Sequence, residues 1–159
     1  MKAATLVPLL LVTALPAQCL FTSLTTTSVG PGCNVGSTGY CKVVGLPTTL
    51  STSLDPANCR LEVQIHLFEA CGVTVPLRLL AFGFQPATVP LPEFGPGCVL
   101  AFAPLAVLSW STGPIALDLP PGVAALSFLV QGAALSIAPP GGQGLDALTF
   151  SDALRVDLQ

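Results

Sequence analysis

The sequence predicts an all-β fold: an antiparallel β-sandwich of eight or nine short strands, stapled by disulfides. Apolar residues make up 52% of the 159-residue chain, but Gly, Pro, Ser and Thr divide them into short segments. Several of these segments alternate apolar and polar residues with the period of a half-buried strand. Short strands with turn residues between them are typical of jelly-roll-like and immunoglobulin-like sandwiches.

The first 17 residues have the pattern of a secretory signal peptide. Met1 and Lys2 give a short positive start, residues 5–14 are apolar, and Ala17 is a small residue suited to cleavage. A buried N-terminal helix is the alternative. We therefore expect a signal peptide at 1–17, an N-terminal arm or edge strand at 18–29, and a single β-sandwich domain at 30–159.

All six cysteines lie beyond this leader. Export would place the mature chain outside the cell, in the periplasm or at the cell surface, where disulfides persist. Lipidation of Cys19 is disfavoured because Gln18, rather than a small residue, precedes it, and because it would leave an odd number of cysteines.

Charge and hydropathy exclude two classes of partner. Lys and Arg number five, and Lys2 lies in the leader, so the others cannot form a phosphate-binding patch for nucleic acid. The longest apolar candidate beyond the leader, 99–110, is interrupted by Pro104 and is shorter than the ~18 residues of a membrane helix. The mature chain is thus predicted to have no transmembrane segment.

In the first half of the chain, the clearest strand is 61–68, because its residues alternate throughout. Leu61, Val63, Ile65 and Leu67 share its apolar face. The sequence Asp-Pro-Ala-Asn at 55–58 predicts the turn before it, with Asp at the first position and Pro at the second. The remaining segments are an edge strand at 18–28, a Gly-rich loop at 30–39 and strands at 42–53 and 75–84.

The second half begins with a loop or edge at 86–96, where four prolines occur. A bulge near Gly132 would explain why the apolar phase shifts within 126–137. Ser151 and Asp152 are expected to separate a closing pair of short strands. The other expected strands are 99–103, 105–110 and 115–119, and the expected loop is 139–144.

Several motifs follow one another in an order that resembles a module of predicted exported proteins from planctomycete bacteria. They are the two Gly-Pro-Gly-Cys loops at 30–33 and 95–98, Pro-Pro-Gly at 120–122 before the Leu-Ser-Phe-Leu-Val-Gln strand at 126–131, and the ending 144–156. Ser-Asp-Ala at 151–153 stands where such modules usually have Ser-Asn-Gly. The resemblance covers roughly residue 30 to the C-terminus and implies the fold and the compartment, without an assigned activity.

The six cysteines allow many pairings, and the sequence alone does not choose among them. The twin Gly-Pro-Gly-Cys loops suggest Cys33–Cys98. A hairpin centred on Pro56 and Ala57 would bring Cys41 opposite Cys71, and Cys19–Cys59 follows by elimination. Cys59–Cys71 is disfavoured, because an intervening strand would separate the two by ~26 Å whereas a disulfide needs Cα atoms within ~7 Å.

No constellation of residues predicts a catalytic, metal or cofactor site. His66 is the only histidine, and it lies on the polar face of its strand. The cysteines lack the Cys-x-x-Cys spacing of zinc sites. Carboxylates for glycoside hydrolysis would have to come from Glu62, Glu69 and Glu93, and those for calcium from Asp146, Asp152 and Asp157; both sets are more simply surface charges.

The sequence therefore favours a non-enzymatic, secreted structural or interaction module. The low charge and apolar character suggest packing against another surface, either that of an extracellular protein or glycan or, as a further option, that of a second copy of the chain. The alternatives are a carbohydrate- or protein-binding module, for which Tyr40, Phe68 and Trp110 are the candidate aromatics, and a secreted hydrolase that would use His66. An uncovered apolar sheet edge would favour assembly.

Overall fold

The computed structural model describes residues 19–36, 48–67, 74–94, 97–137 and 145–159. Within these ranges the chain forms eleven strands, one 3-10 turn at Pro92–Phe94 and no α-helix. The predicted all-β class is confirmed, with more strands than the eight or nine expected. The predicted signal peptide at 1–17, the loop at 139–144 and the Cys41–Cys71 pair lie outside the described residues.

The strands are short except for the last two. They are β1 Leu24–Gly30, β2 Cys33–Gly36, β3 Thr49–Asp55, β4 Arg60–His66, β5 Thr74–Gly83, β6 Pro86–Pro90, β7 Val99–Phe102, β8 Ala106–Trp110, β9 Ile115–Asp118, β10 Leu126–Ile137 and β11 Leu145–Leu158.

Two antiparallel sheets form the sandwich. Sheet A has the order β1-β11-β10-β5-β8, with β2 also paired to β11, and sheet B has the order β3-β4-β9. Alternation in β4 buries every second side chain, as the sequence predicted. The side chains that fill the core between the sheets include Phe21, Leu61, Val63, Leu80, Leu119, Phe128, Val130, Val156 and Leu158.

The hairpin of β3 and β4 turns one residue later than expected. Asp55 lies opposite Arg60, so the centre falls between Ala57 and Asn58 rather than between Pro56 and Ala57. The loop is longer because Cys59 adds a residue in the left-handed region, with φ of 51°. The register that suggested Cys41–Cys71 therefore started from the wrong centre.

The Asp55 carboxylate holds this turn together. It accepts hydrogen bonds from the backbone N–H groups of Ala57 at 3.0 Å and Asn58 at 3.2 Å, and from the Asn58 side-chain amide at 2.7 Å. These bonds, with the Asn58 side chain contributing most, lower the pKa of Asp55 from its ordinary value of 3.8. The predicted turn at 55–58 is thus present and favours the ionised acid.

The expected pair of closing strands is one continuous strand, β11. Gln131 pairs with Ala153 and Ala133 with Phe150, so Ser151 and Asp152 together oppose Gly132. The predicted bulge near Gly132 is confirmed, but its extra residue belongs to β11. The strand continues through the bulge because the Ser151 hydroxyl accepts a hydrogen bond from the Gly132 N–H at 2.8 Å.

Strands β1 and β2 are two parts of one edge, not a strand followed by the loop expected from residue 30 onward. Both pair with β11, and Pro31 and Gly32 interrupt them opposite its bulge. The Gly32 N–H donates to Asp152 Oδ1 at 2.8 Å. A Cβ at Gly32 would lie 2.2 Å from the Phe150 carbonyl oxygen, so this close approach requires glycine.

Strands β5 to β8 form one long hairpin that bends back on itself. The base of the hairpin is formed by β5 and β8 and belongs to sheet A, whereas its tip is the separate two-stranded sheet of β6 and β7. Phe82 lies opposite Ala106 in the base, and Pro86 lies opposite Phe102 in the tip, so the strand register is nearly the same in both parts. We call residues 86–102 the folded ribbon. The expected loop or edge at 86–96 is therefore partly an edge strand, with prolines at its two ends.

The folded ribbon packs on the outer face of sheet A. Phe102 is fully buried there with Ala81, Leu129 and Ala153. At the bend, a Cβ on Gly83 would lie 2.4 Å from the Ala103 carbonyl oxygen and 2.5 Å from the Phe102 ring. Glycine is therefore needed where Phe102 enters this second, smaller core.

Candidate functional site

Two disulfides attach the N-terminal segment and the tip of the folded ribbon to the sandwich. Cys33–Cys98 has a Cα–Cα distance of 5.4 Å and joins the tip of the folded ribbon to β2. Cys19–Cys59 has a Cα–Cα distance of 5.1 Å and joins the N-terminal segment to the β3–β4 turn. Both are pairs that the sequence suggested. They are consistent with an oxidising environment, and they act on stability rather than on chemistry.

Gln131 ties the middle of the folded ribbon to sheet A. Its side chain is 2% exposed. Its Oε1 accepts from the Ala101 N–H at 3.1 Å, and its Nε2 donates to the carbonyl oxygens of Val99 at 3.3 Å and Ser151 at 3.1 Å. A buried amide with these three partners is satisfied, so its place is structural.

His66 lies on the outer face of sheet B, where its Nε2 is 2.6 Å from the Ser51 hydroxyl on the neighbouring strand. Both side chains are exposed. Glu62, an acid on the same face of β4, is four residues away, which is about 13 Å along a strand. The geometry therefore gives a Ser–His hydrogen bond on an exposed surface, and no carboxylate among the described residues joins it to complete a Ser-His-Asp arrangement.

The structure does not bring together those of the singled-out acids whose side chains it describes. Glu62 and Glu93 are exposed on separate elements, and Asp152 and Asp157 lie on β11. Asp146 belongs to the start of β11, and Glu69 lies outside the described residues. Among the described residues, no three His, Cys, Asp or Glu side chains are grouped so that they could hold a metal ion. Within the same ranges, no helix is long and apolar enough to cross a membrane.

The candidate sugar-binding aromatics do not form a described platform. Trp110 is half-buried and donates its indole N–H to the Gly113 carbonyl at 2.8 Å, whereas Tyr40 and Phe68 lie outside the described residues. Phe84, which the sequence did not single out, is 57% exposed. It lies just after β5, next to a cluster of other exposed apolar side chains.

That cluster belongs to an apolar surface where both sheets end. Strand β8 is the last strand of sheet A, and β9 is the last strand of sheet B. Between them lies a groove of about 240 Å³. We call β8, β9 and this groove the open side. The groove is lined by Phe82, Gly83, Phe84, Ala106, Leu108, Leu117, Asp118, Leu119, Pro120, Leu126 and Phe128.

Large apolar side chains are also exposed next to the groove. Leu105 is 74% exposed and Val107 is 57% exposed, in addition to Phe84. Val107 lies on the face of β8 opposite to Ala106 and Leu108, which line the groove together with Phe84. Strand β8 has no charged residue and no proline, two of the features that natural edge strands use against pairing with another chain. Asp118, the one charged side chain among those that line the groove, forms an ion pair with Arg60 at 3.2 Å.

The opposite side of the sandwich has one of those features, a proline, together with a β-bulge. Its sheet A edge is broken at Pro31 and has an extra residue at Val29. Exposed Thr and Ser side chains cover it, namely Thr25, Thr26, Thr27 and Ser28 on β1 and Thr49, Ser51 and Ser53 on β3. Among the described residues, the two sides of the sandwich therefore differ in how far their sheet edges are protected against pairing with another strand.

Sequence reasoning missed the open side as a site. No charged residue occurs between Glu93 and Asp118, but residues 119–145 are uncharged as well and include the largely buried strand β10, so the lack of charge does not identify a surface. The sequence could not show that β8 and β9 end their sheets on the same side.

No family model matches this sequence, and comparisons with curated proteins and with solved structures give no match.

Proposed function

We propose that this chain is an exported, non-enzymatic structural module that docks another protein surface through its open side. The observation that supports this role most directly is the outer edge of β8, which pairs with no further strand among the described residues and has Val107 exposed on one face and the apolar groove on the other. Apolar edges of this kind mark sites of association. The two disulfides support a place outside the cytoplasm, in agreement with the leader sequence.

Protein is favoured over carbohydrate as the partner. A sugar platform needs several exposed aromatic rings, whereas among the large apolar side chains described as exposed only Phe84 is aromatic. The other two large apolar side chains that are exposed there, Leu105 and Val107, are aliphatic, which suits the side chains of a second protein.

The test is a binding screen with the oxidised mature chain against arrayed glycans and arrayed extracellular proteins, together with sedimentation of the chain alone. We expect protein binding, self-association or both, and we expect Val107→Lys to abolish the signal. Val29→Lys is the matched control, because Val29 is 46% exposed on the opposite edge of sheet A. A chain that neither binds a protein nor self-associates, or a signal that Val107→Lys leaves intact, would contradict the proposal.

A further inference from the structure

We propose that the occupant of the open side is a second copy of this chain, joined by antiparallel pairing of β8 with itself. This inference rests on the proposed function and specifies its partner. Pairing of the two β8 strands would extend sheet A continuously through both copies and place the two apolar grooves next to each other.

The number of exposed edges favours a second sandwich over a peptide. Sheets A and B both end on the open side, at β8 and β9, and the groove separates them. An extended peptide that adds one strand pairs with one sheet edge. A second copy related by a two-fold axis presents β8, β9 and the groove together, so it covers the whole surface.

The charge of the open side also suits self-pairing. A two-fold axis brings residues near the axis close to their own copies, so a charge at the centre of the interface would meet a like charge. Strand β8 carries no charge, and Asp118 at the groove is already paired with Arg60. Two copies can therefore approach without like-charge repulsion along the paired strands.

The register follows from the length of the strand. Pairing all of Ala106–Trp110 with its own copy centres the contact on Leu108. Val107 then faces Ser109 of the second copy and lies diagonal to Val107 of that copy, about 7–8 Å away. Because β8 has five residues and β9 has four, the interface falls in the small, concentration-dependent class, on the order of 1,200 Å² or less.

The experiment uses sedimentation of the oxidised mature chain over a concentration series. Val107→Lys and Val107→Glu should each weaken self-association by about tenfold or more, because like charges would meet near the axis. Mixing the two variants should restore association to about the wild-type level, since Lys and Glu then lie diagonal to each other. Val29→Lys should self-associate as the wild type does.

Leu105→Lys provides a second disrupting variant at a residue that is 74% exposed, so it does not depend on Val107 tolerating a charge. A wild-type chain that is monomeric at every concentration overturns the inference. If that monomer still binds an arrayed protein in a manner that Val107→Lys abolishes, the proposed function stands with a different partner. Self-association that both Lys variants leave unchanged overturns the inference and removes the open side from the proposed function.

Discussion

Gln131 joins the folded ribbon to sheet A through one buried side chain, and its replacement is the sharpest test at the scale of a residue. Gln131→Leu keeps the size but leaves the Ala101 N–H and the carbonyl oxygens of Val99 and Ser151 without their partner. Buried groups without partners are destabilising, so the free energy of unfolding should fall by about 3 kcal/mol in urea titrations.

Gln64→Leu is the matched control. Gln64 is exposed on β4, so the same substitution there should change the free energy of unfolding by less than about 0.5 kcal/mol. Equal effects of the two substitutions would show that Gln131 contributes through something other than its three hydrogen bonds.

At this scale the sequence predicted local chemistry better than distant contacts. Asp55 and Pro56 indicated the turn because their preferences are local. The left-handed Cys59 was not foreseen, since a glycine or asparagine is the usual residue there, and this shifted the predicted centre of the hairpin. The role of Gln131 was also invisible, because its partners lie 20 to 32 residues away.

At the scale of an element, the folded ribbon depends on its fastening to β2. Cys33 and Cys98 are separated by 65 residues, and a closed loop of that length stabilises by about 4 kcal/mol on chain entropy. The double variant Cys33→Ala and Cys98→Ala should lose stability of this order. The amides of β7 at Val99–Phe102 should exchange with solvent faster than those of sheet A, because the tip is no longer held over β11.

The other disulfide provides a control of similar size. Cys19 and Cys59 are 40 residues apart, so the double variant Cys19→Ala and Cys59→Ala should lose a comparable amount of stability. Amide exchange in the folded ribbon should then rise only as much as it does in sheet A. If both double variants increase amide exchange in the folded ribbon equally, Cys33–Cys98 does not stabilise the ribbon specifically.

Strand positions followed from alternation and from Gly and Pro, and most of them are where the sequence placed them. The bend of the β5–β8 hairpin did not follow, because it depends on Gly83 meeting Phe102 across the turn. The expected break in β11 was likewise wrong, since the Ser151 hydroxyl keeps the strand bonded through its bulge. Both errors concern contacts between residues that are distant in sequence, which local sequence patterns do not reveal.

At the scale of the whole molecule, the sandwich has one protected side and one open side. Composition predicted a low-charge, apolar chain suited to contact with another surface. It could not say where that contact lies, since β8 and β9 are brought to one side only by the order of strands in two separate sheets. The open side thus results from the topology, because the order of the strands places its apolar residues at two neighbouring sheet edges.

Hydrogen exchange should reveal this asymmetry directly. In dilute protein, amides of both sheet A edges, β1 and β8, should exchange faster than those of β10 and β11, which have neighbouring strands on both sides. Raising the concentration should slow exchange at Ala106–Trp110 by about tenfold, because pairing with a second copy occupies the free amides of β8. The β1 amides at Thr25–Ser28 should not change, since Pro31 and the extra residue at Val29 protect that edge. A uniform change at both edges would instead indicate association without a preferred side.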